Sequence, residues 1–399
     1  MDSHLAERVR DIGTETAFEA AARARALEAT GRSVIHLEIG EPDFDTPANV
    51  REAAKAALDA GKTHYPPFAG IPELRNAIAA DSTARRGIDV APQNVFVTVG
   101  GKGVMYYTIL ALVNAGDEVI VPDPGYPIYD SVTRFIGGTS VPIPIRQEHE
   151  FRLDADELAS LVTPRTRLIV LNSPANPTGG VLTRDDLERV AELTIKHDLV
   201  VLSDEIYSRI LYDGAEHLSI ASLPGMRQRT IVLDGFSKTY AMTGWRLGYA
   251  IVPDWLTEAF GKLIINNISG AVTFAQFGAV EALTGPQDAV DAMVREFRVR
   301  RDLVVDGLNT IPGVKCLRPQ GAFYVFPDIS DTGMTGSELA NRLLSEAGVA
   351  VLAGTAFGGV GTHHIRLSYA NSQANIAAAL ERMRTVLGSG AAVAASAAR

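Results

Sequence analysis

Between roughly residues 45 and 290, short β-rich runs alternate with stretches of helical spacing. The runs are "NVFVTV", "EVIVPD", "TSVPIPI", "RLIVLN", "LVVLSD", "TIVLDG" and "LGYAIV". This alternation restricts the chain to an α/β fold with a largely parallel sheet, because neighbouring parallel strands need a long crossover between them. Within "DDLERVAELTIKHD", Leu187, Val190, Ala191 and Ile195 fall on one helical face and the charges on the other. After about residue 290 the pattern changes to a long charged helix, "AVDAMVREFRVRRDLVVDGLN", then "GAFYVFPD", a helix near "GSELANRLLSEAG", and "HHIRLSYA". That reads as a second, smaller α+β domain, joined by the N-terminal segment. The expected division is a large domain over 45–290, a small one from 1–44 with 291–388, and a flexible tail over 389–399, where "GSGAAVAASAAR" lacks the bulk to anchor a packed element.

In open α/β sheets, ligands collect beyond the carboxyl ends of the strands. The polar, Gly-rich and Pro-rich pieces sit there: "GGKG", "PGYP", "SPANPTGG", "DEIY" and "SKTY" each follow a run. Five strand ends aimed at one crevice predict a site.

The balance of 37 Lys and Arg against 47 Asp and Glu gives a net charge of -10, which argues against a nucleic-acid or anionic-membrane surface. Small polar metabolites are the expected partners. Cys316 is the one cysteine, so neither an intrachain disulfide nor a cysteine-based metal site is available, and a reducing, cytoplasmic setting suits it. "MDSHLAERVRDIG" lacks an apolar leader core, and no run approaches the roughly 18 apolar residues of a membrane span, so the reading is of a soluble protein that is not secreted.

Several residues can carry chemistry. Gly100 and Gly101 open a helix whose bare N–H groups suit a phosphate, although "GGKG" alone also reads as a tight turn. Asp204, at the end of an aliphatic strand, needs a cationic partner; it reads either as a helix cap or as a carboxylate that keeps a ring nitrogen protonated. Asn176, extended before Pro177, can address a ligand. Lys238 lies in "FSKTYAMTGWRLGY", a segment otherwise small, hydroxylated, aromatic or aliphatic. It is either a snorkelling surface lysine or an amine that loses its charge as a Schiff base. The planar fork of Arg246 suits a phosphate or carboxylate, and Arg366 interrupts an alternating strand pattern. The adjacent His363 and His364 point apart in an extended chain, so no metal is expected there.

Together "GEPDFDTP", "THYPPFAGIPELR", "GGKG", "PGYPIYD", "NSPANPTGG", "LSDEIY", "FSKTYAMTGWRLGY", "GAFYVFP" and "IRLSYA" resemble the class I/II aminotransferases of the fold-type I pyridoxal-phosphate enzymes, over nearly the whole chain. Their spacing is similar to the subgroup holding many bacterial aspartate aminotransferases. The resemblance implies a mostly parallel seven-stranded sheet in the large domain and a cytoplasmic homodimer with shared active sites. It implies that pyridoxal 5'-phosphate is bound by Lys238 as a Schiff base, with the lysine then shuttling the proton.

By the same resemblance Asp204 pairs with the pyridine N–H, Tyr207 and Asn176 bond the phenolic oxygen, and Tyr126 stacks on the ring. The phosphate takes Gly101 and Lys102 N–H groups, Ser237, Arg246, and Tyr65 from a second subunit. Arg366 grips the substrate carboxylate with Gly40 and Asn176, while Thr16 and the Lys102 side chain join the substrate pocket. Two departures stand out: Gly235 replaces a hydroxyl residue that touches phosphate in many relatives, and Glu15 in "GTETAF" stands where the aspartate pattern has a small residue. "PGYP" also differs from that pattern's aromatic-rich loop. Lys102 points to aspartate, glutamate and 2-oxoglutarate, and Glu15 points away, so the donor stays open. The expected activity is ping-pong transfer of an amino group from an L-amino acid to a 2-oxo acid, with 2-oxoglutarate the expected acceptor. The alternative is another reaction on the same fold: a β-lyase, synthase or amino-acid oxidase.

Overall fold

A computed structural model describes residues 4–397, with side chains to residue 388. The seven apolar runs become β1 (Val95–Val99), β2 (Glu118–Asp123), β3 (Thr139–Pro144), β4 (Thr166–Asn172), β5 (Val200–Asp204), β6 (Thr230–Gly235) and β7 (Leu247–Ile251). They form one sheet in the order β1-β7-β6-β5-β4-β2-β3. Only β7 runs against its neighbours, β1 and β6; the remaining pairings are parallel.

The strands are apolar on both faces because both faces are covered. Leu168, Val170 and Leu202 pack on one side with Val104 and Ile109 from the helix Gly101–Leu112. Ile169, Leu171 and Val201 pack on the other with Leu187 and Val190 from the helix Arg184–Lys196. Thr183 and Asp186 cap that helix reciprocally. Ile195, expected on its buried face, is instead 44% exposed. At 3.6 residues per turn it lies at the edge of the stripe set by Leu187 and Ala191, and the sheet does not reach it.

Beyond the sheet, the helix Asp288–Asn309 packs on the closing helix Gln373–Ala397. A three-stranded antiparallel sheet places Ile365–Ser368 between Leu352–Ala353 and Tyr324–Val325. The short strand Ile35–His36 pairs with Val349–Ala350, which ties the N-terminal segment to this part. The stretch from 389, expected to fray, continues the closing helix as far as Ala397, in keeping with the high helix propensity of its alanines. Residues 398–399 of that expected tail, and residues 1–3 at the other end, lie outside the described residues.

Among the described residues no helix is long and apolar enough to cross a membrane, and no cluster of His, Cys, Asp and Glu could hold a metal. His363 closes a short 3-10 turn, while the ring of His364 stacks on Phe326 at 4.8 Å.

Candidate active site

The carboxyl ends of the parallel strands open on a cavity of about 460 Å³. Gly101 and Lys102 enter it after β1, Tyr126 after β2, Asn176 after β4, Asp204 and Tyr207 at the end of β5, and Ser237 and Lys238 after β6. Thr16 and Gly40 arrive from the N-terminal segment, Arg366 from the three-stranded sheet, and Arg246 from the turn before β7. Of the site residues expected from the sequence, Tyr65 alone is not brought to this cavity: it is 92% exposed elsewhere on the chain.

Lys238 projects into the cavity and its Nζ donates to the Gly40 carbonyl at 2.5 Å. Burial brings its pKa down to about 8; the Arg366 and Arg246 guanidiniums add to the fall, against the pull of Glu41 and Glu15. A lysine held there is partly free base near neutral pH, which a nucleophilic amine requires.

Asp204 closes β5 with 3% exposure. Its Oδ2 accepts from the Tyr129 hydroxyl at 2.6 Å and its Oδ1 from the Ile206 N–H at 3.2 Å. No cation pairs with it among the described residues. Burial pushes its carboxyl up to about 7, against those two hydrogen bonds. Glu205, the next residue, belongs to a different cluster. It accepts from Arg86 Nε at 2.6 Å and Ser219 at 2.6 Å, with His217 Nε2 2.9 Å away. Burial works to raise its pKa, but His217 and Arg86 together hold it well below the usual carboxylate range.

Beside the cavity, Gly100, whose φ of 71° favours glycine, stands at the start of the helix Gly101–Leu112. The Gly103 N–H donates to the Gly100 carbonyl at 3.2 Å, while those of Gly101 and Lys102 precede the helix's own hydrogen-bond ladder. A Cβ on Gly100 would collide with the Arg246 guanidinium, which therefore lies across the helix start. Arg246, itself left-handed with φ 55°, is exposed at the rim. Its Nη1 donates to the Thr243 carbonyl at 2.9 Å. At Gly235 a Cβ would lie 2.9 Å from the Gly248 Cα, so the close approach of β6 and β7 leaves no room for the hydroxyl residue of many relatives.

Arg366 is 3% exposed, not on the outer face of its strand. One Nη donates to the Glu38 carbonyl and the other to Asn176 Oδ1 at 3.4 Å. Its guanidinium lies 4.6 Å from the Tyr324 ring centre and 5.2 Å from that of Phe357, and its Nε has no partner. A buried cation with an open donor is a receptor for a carboxylate.

Two residues that the sequence reading passed over complete the site. Tyr129 holds Asp204, and Tyr324 bonds the Tyr207 hydroxyl at 2.8 Å. Their signal was present in "PGYPIYD", where the tyrosines are three apart and share a face, and in "GAFYVFP". Lys102, expected to stand free for a distal carboxylate, is already paired with Glu15, which also accepts from the Tyr126 hydroxyl at 2.8 Å.

A part-buried amine, a buried carboxylate without a cationic partner among the described residues and a buried guanidinium thus line one cavity, on the fold of the fold-type I aminotransferases. The chain belongs to the class I and II aminotransferases, whose family model matches residues 32–383. It is thus an aminotransferase of a family that uses pyridoxal phosphate. Among individual proteins it is 45% identical to the aspartate aminotransferase of Pyrococcus abyssi, covering 90% of this chain and 93% of that one. It is 43% identical to the arginine–pyruvate transaminase of Pseudomonas aeruginosa, covering 92% of each. The solved structure of Thermus thermophilus aspartate aminotransferase with maleate matches with a TM-score of 0.91 at 42% identity, over 96% of this chain and 99% of that one.

Proposed function

We propose that this cavity holds pyridoxal 5'-phosphate and that the chain moves an amino group from an L-amino acid to a 2-oxo acid in two half-reactions of a ping-pong cycle. The observation that carries this reading is Asp204, a buried carboxylate with no cationic partner among the described residues, in one cavity with Lys238, an amine whose pKa is brought down to about 8. When bound, the cofactor supplies an aldehyde to hold the substrate nitrogen and a ring to take up the electron pair left when Cα loses its proton.

The residues divide the remaining work. Asp204 would hold a proton on the ring nitrogen, which would supply the cation that its burial lacks. Tyr207, whose pKa burial raises well above the usual tyrosine value, stays a phenol and donates to the ring's phenolic oxygen beside the Asn176 amide. Tyr126, which lines the cavity, would cover the ring. The N–H groups of Gly101 and Lys102, the Ser237 hydroxyl and Arg246 hold the phosphate. Arg366, with Gly40 and Asn176, grips the α-carboxylate of donor and acceptor alike, and Thr16 borders the substrate. Lys238 would take the proton from the substrate's Cα and pass it to the cofactor carbon on the other side of the shared nitrogen.

Tyr65, exposed on its own chain, fits a role at the phosphate of a second subunit, and so a homodimer. We read residues 45–290 as the cofactor domain and 1–44 with 291–388 as the smaller one, acting in the cytoplasm. The relatives' names span aspartate, aromatic and arginine donors, so the side-chain end of the cavity decides the substrate.

The test is the visible spectrum of the purified protein while single L-amino acids are added. The aldehyde form of the cofactor should convert to its amine form with release of one equivalent of 2-oxo acid. A colourless protein that pyridoxal phosphate cannot reconstitute ends the reading. Ammonia released without any acceptor replaces transamination with a lyase or oxidase.

A further inference from the structure

We infer that Glu15 sets the donor class, favouring amino acids whose side chain ends in a cation over those that end in a carboxylate. The inference rests on the transamination site proposed above and adds its substrate preference. The charges around the cavity support it. Arg246 faces the phosphate cradle, Arg366 awaits the α-carboxylate, and Lys238 is committed to the reacting nitrogen. Lys102 is the one remaining cation at the substrate end, and it is already bound to Glu15. A distal carboxylate entering there meets a neutralised lysine and a standing anion.

The pair is also asymmetric. The Glu15 side chain is 16% exposed and held by two donors, Lys102 and the Tyr126 hydroxyl. The Lys102 side chain is 42% exposed on a flexible stem. When a substrate breaks the pair, the lysine can swing to water while the carboxylate stays fixed. Both donors share Oε1, and Oε2 takes none of the described hydrogen bonds. An ammonium or guanidinium on the substrate finds an open acceptor there, while Phe18 and Phe357 flank the cavity for an apolar stem.

The experiment compares the holoenzyme with Glu15→Gln, and with Glu15→Ala should the first variant fold poorly. Turnover of L-arginine and L-aspartate is measured, together with calorimetric binding of two probes that cannot react, maleate and 5-guanidinopentanoate. Removing the charge should lower kcat/KM for L-arginine about tenfold and raise it for L-aspartate about tenfold, with affinities for the two probes shifting in the same opposite senses. An unchanged preference and unchanged probe affinities in a folded variant overturn the inference. If neither these two nor any other L-amino acid converts the cofactor, the transamination reading fails, and the two probe affinities still decide the role of Glu15.

Discussion

Asp204 and Glu205 are chain neighbours at the end of one strand, and the two clusters around them are opposites. Glu205 sits among Arg86, His217, Ser203 and Ser219, and Arg86 reaches on to Asp234, which also accepts from Tyr249 at 3.1 Å. Its charge is met on every side. Asp204 is as deeply buried and has only a hydroxyl and one N–H. A protein that can surround one carboxylate with cations leaves its neighbour without any, and the difference separates a charge that holds the fold from one kept for a guest.

Four variants or conditions test that contrast, beginning with the largest expected effect. Lys238→Ala should reduce turnover by about 10⁴-fold or more while the melting temperature stays within a few degrees, as steady-state kinetics and calorimetry will show. Arg86→Met leaves Asp234 buried without its cation and Glu205 with His217 alone, so it should cost about 3–5 kcal/mol in denaturant unfolding. Turnover per folded molecule should change far less than in the Lys238 variant.

Asp204→Asn should do the reverse, lowering kcat by about 10²–10³-fold while the cofactor-free protein becomes more stable. The sign follows from the raised pKa: with an ordinary value of 3.8 in the unfolded chain and about 7 in the fold, ionisation costs nothing below pH 4. The cost grows between those values and is complete above pH 7, at an upper bound on the order of 4 kcal/mol. The variant's advantage in urea should follow that curve and shrink when cofactor is bound. A constant advantage at all pH values would separate it from the Asp204 charge. The smallest effect is kinetic: capture of pyridoxal phosphate by the cofactor-free protein should accelerate as pH rises to about 8 and then level, as Lys238 becomes free base. Stopped-flow absorbance reads that profile directly.

Much of this was legible in the sequence because it is local. Each strand was an unbroken aliphatic run, and each cavity residue followed such a run in a short polar motif, so strand ends and ligand groups could be read together. The Arg86 cluster was not legible. Its members at 86, 205, 217, 234 and 249 come from separate elements, and none has a spacing that reveals the others. In "SDEIY" only the family resemblance singled out Asp204; the residues themselves do not say which acid faces which cluster, since that depends on the pleat and on the cations folded beneath it. The Glu15–Lys102 pair, joining positions 87 residues apart, was visible only as two conflicting hints about the donor.

Gly235, Gly248 and Gly100 are stacked so closely that a Cβ on the first meets the second, and a Cβ on the second meets the backbone of the third. For a lineage exploring sequence one codon at a time, this is a locked door. A serine at 235, introduced to bond the phosphate of the proposed cofactor, first forces β6 and β7 apart and shifts the helix start proposed to hold that phosphate. The gain and the damage fall on one ligand, so improvement there requires coordinated change at more than one position. Tighter cofactor retention is reached more readily by substitutions at the exposed rim around Arg246, where side chains can change without moving a strand.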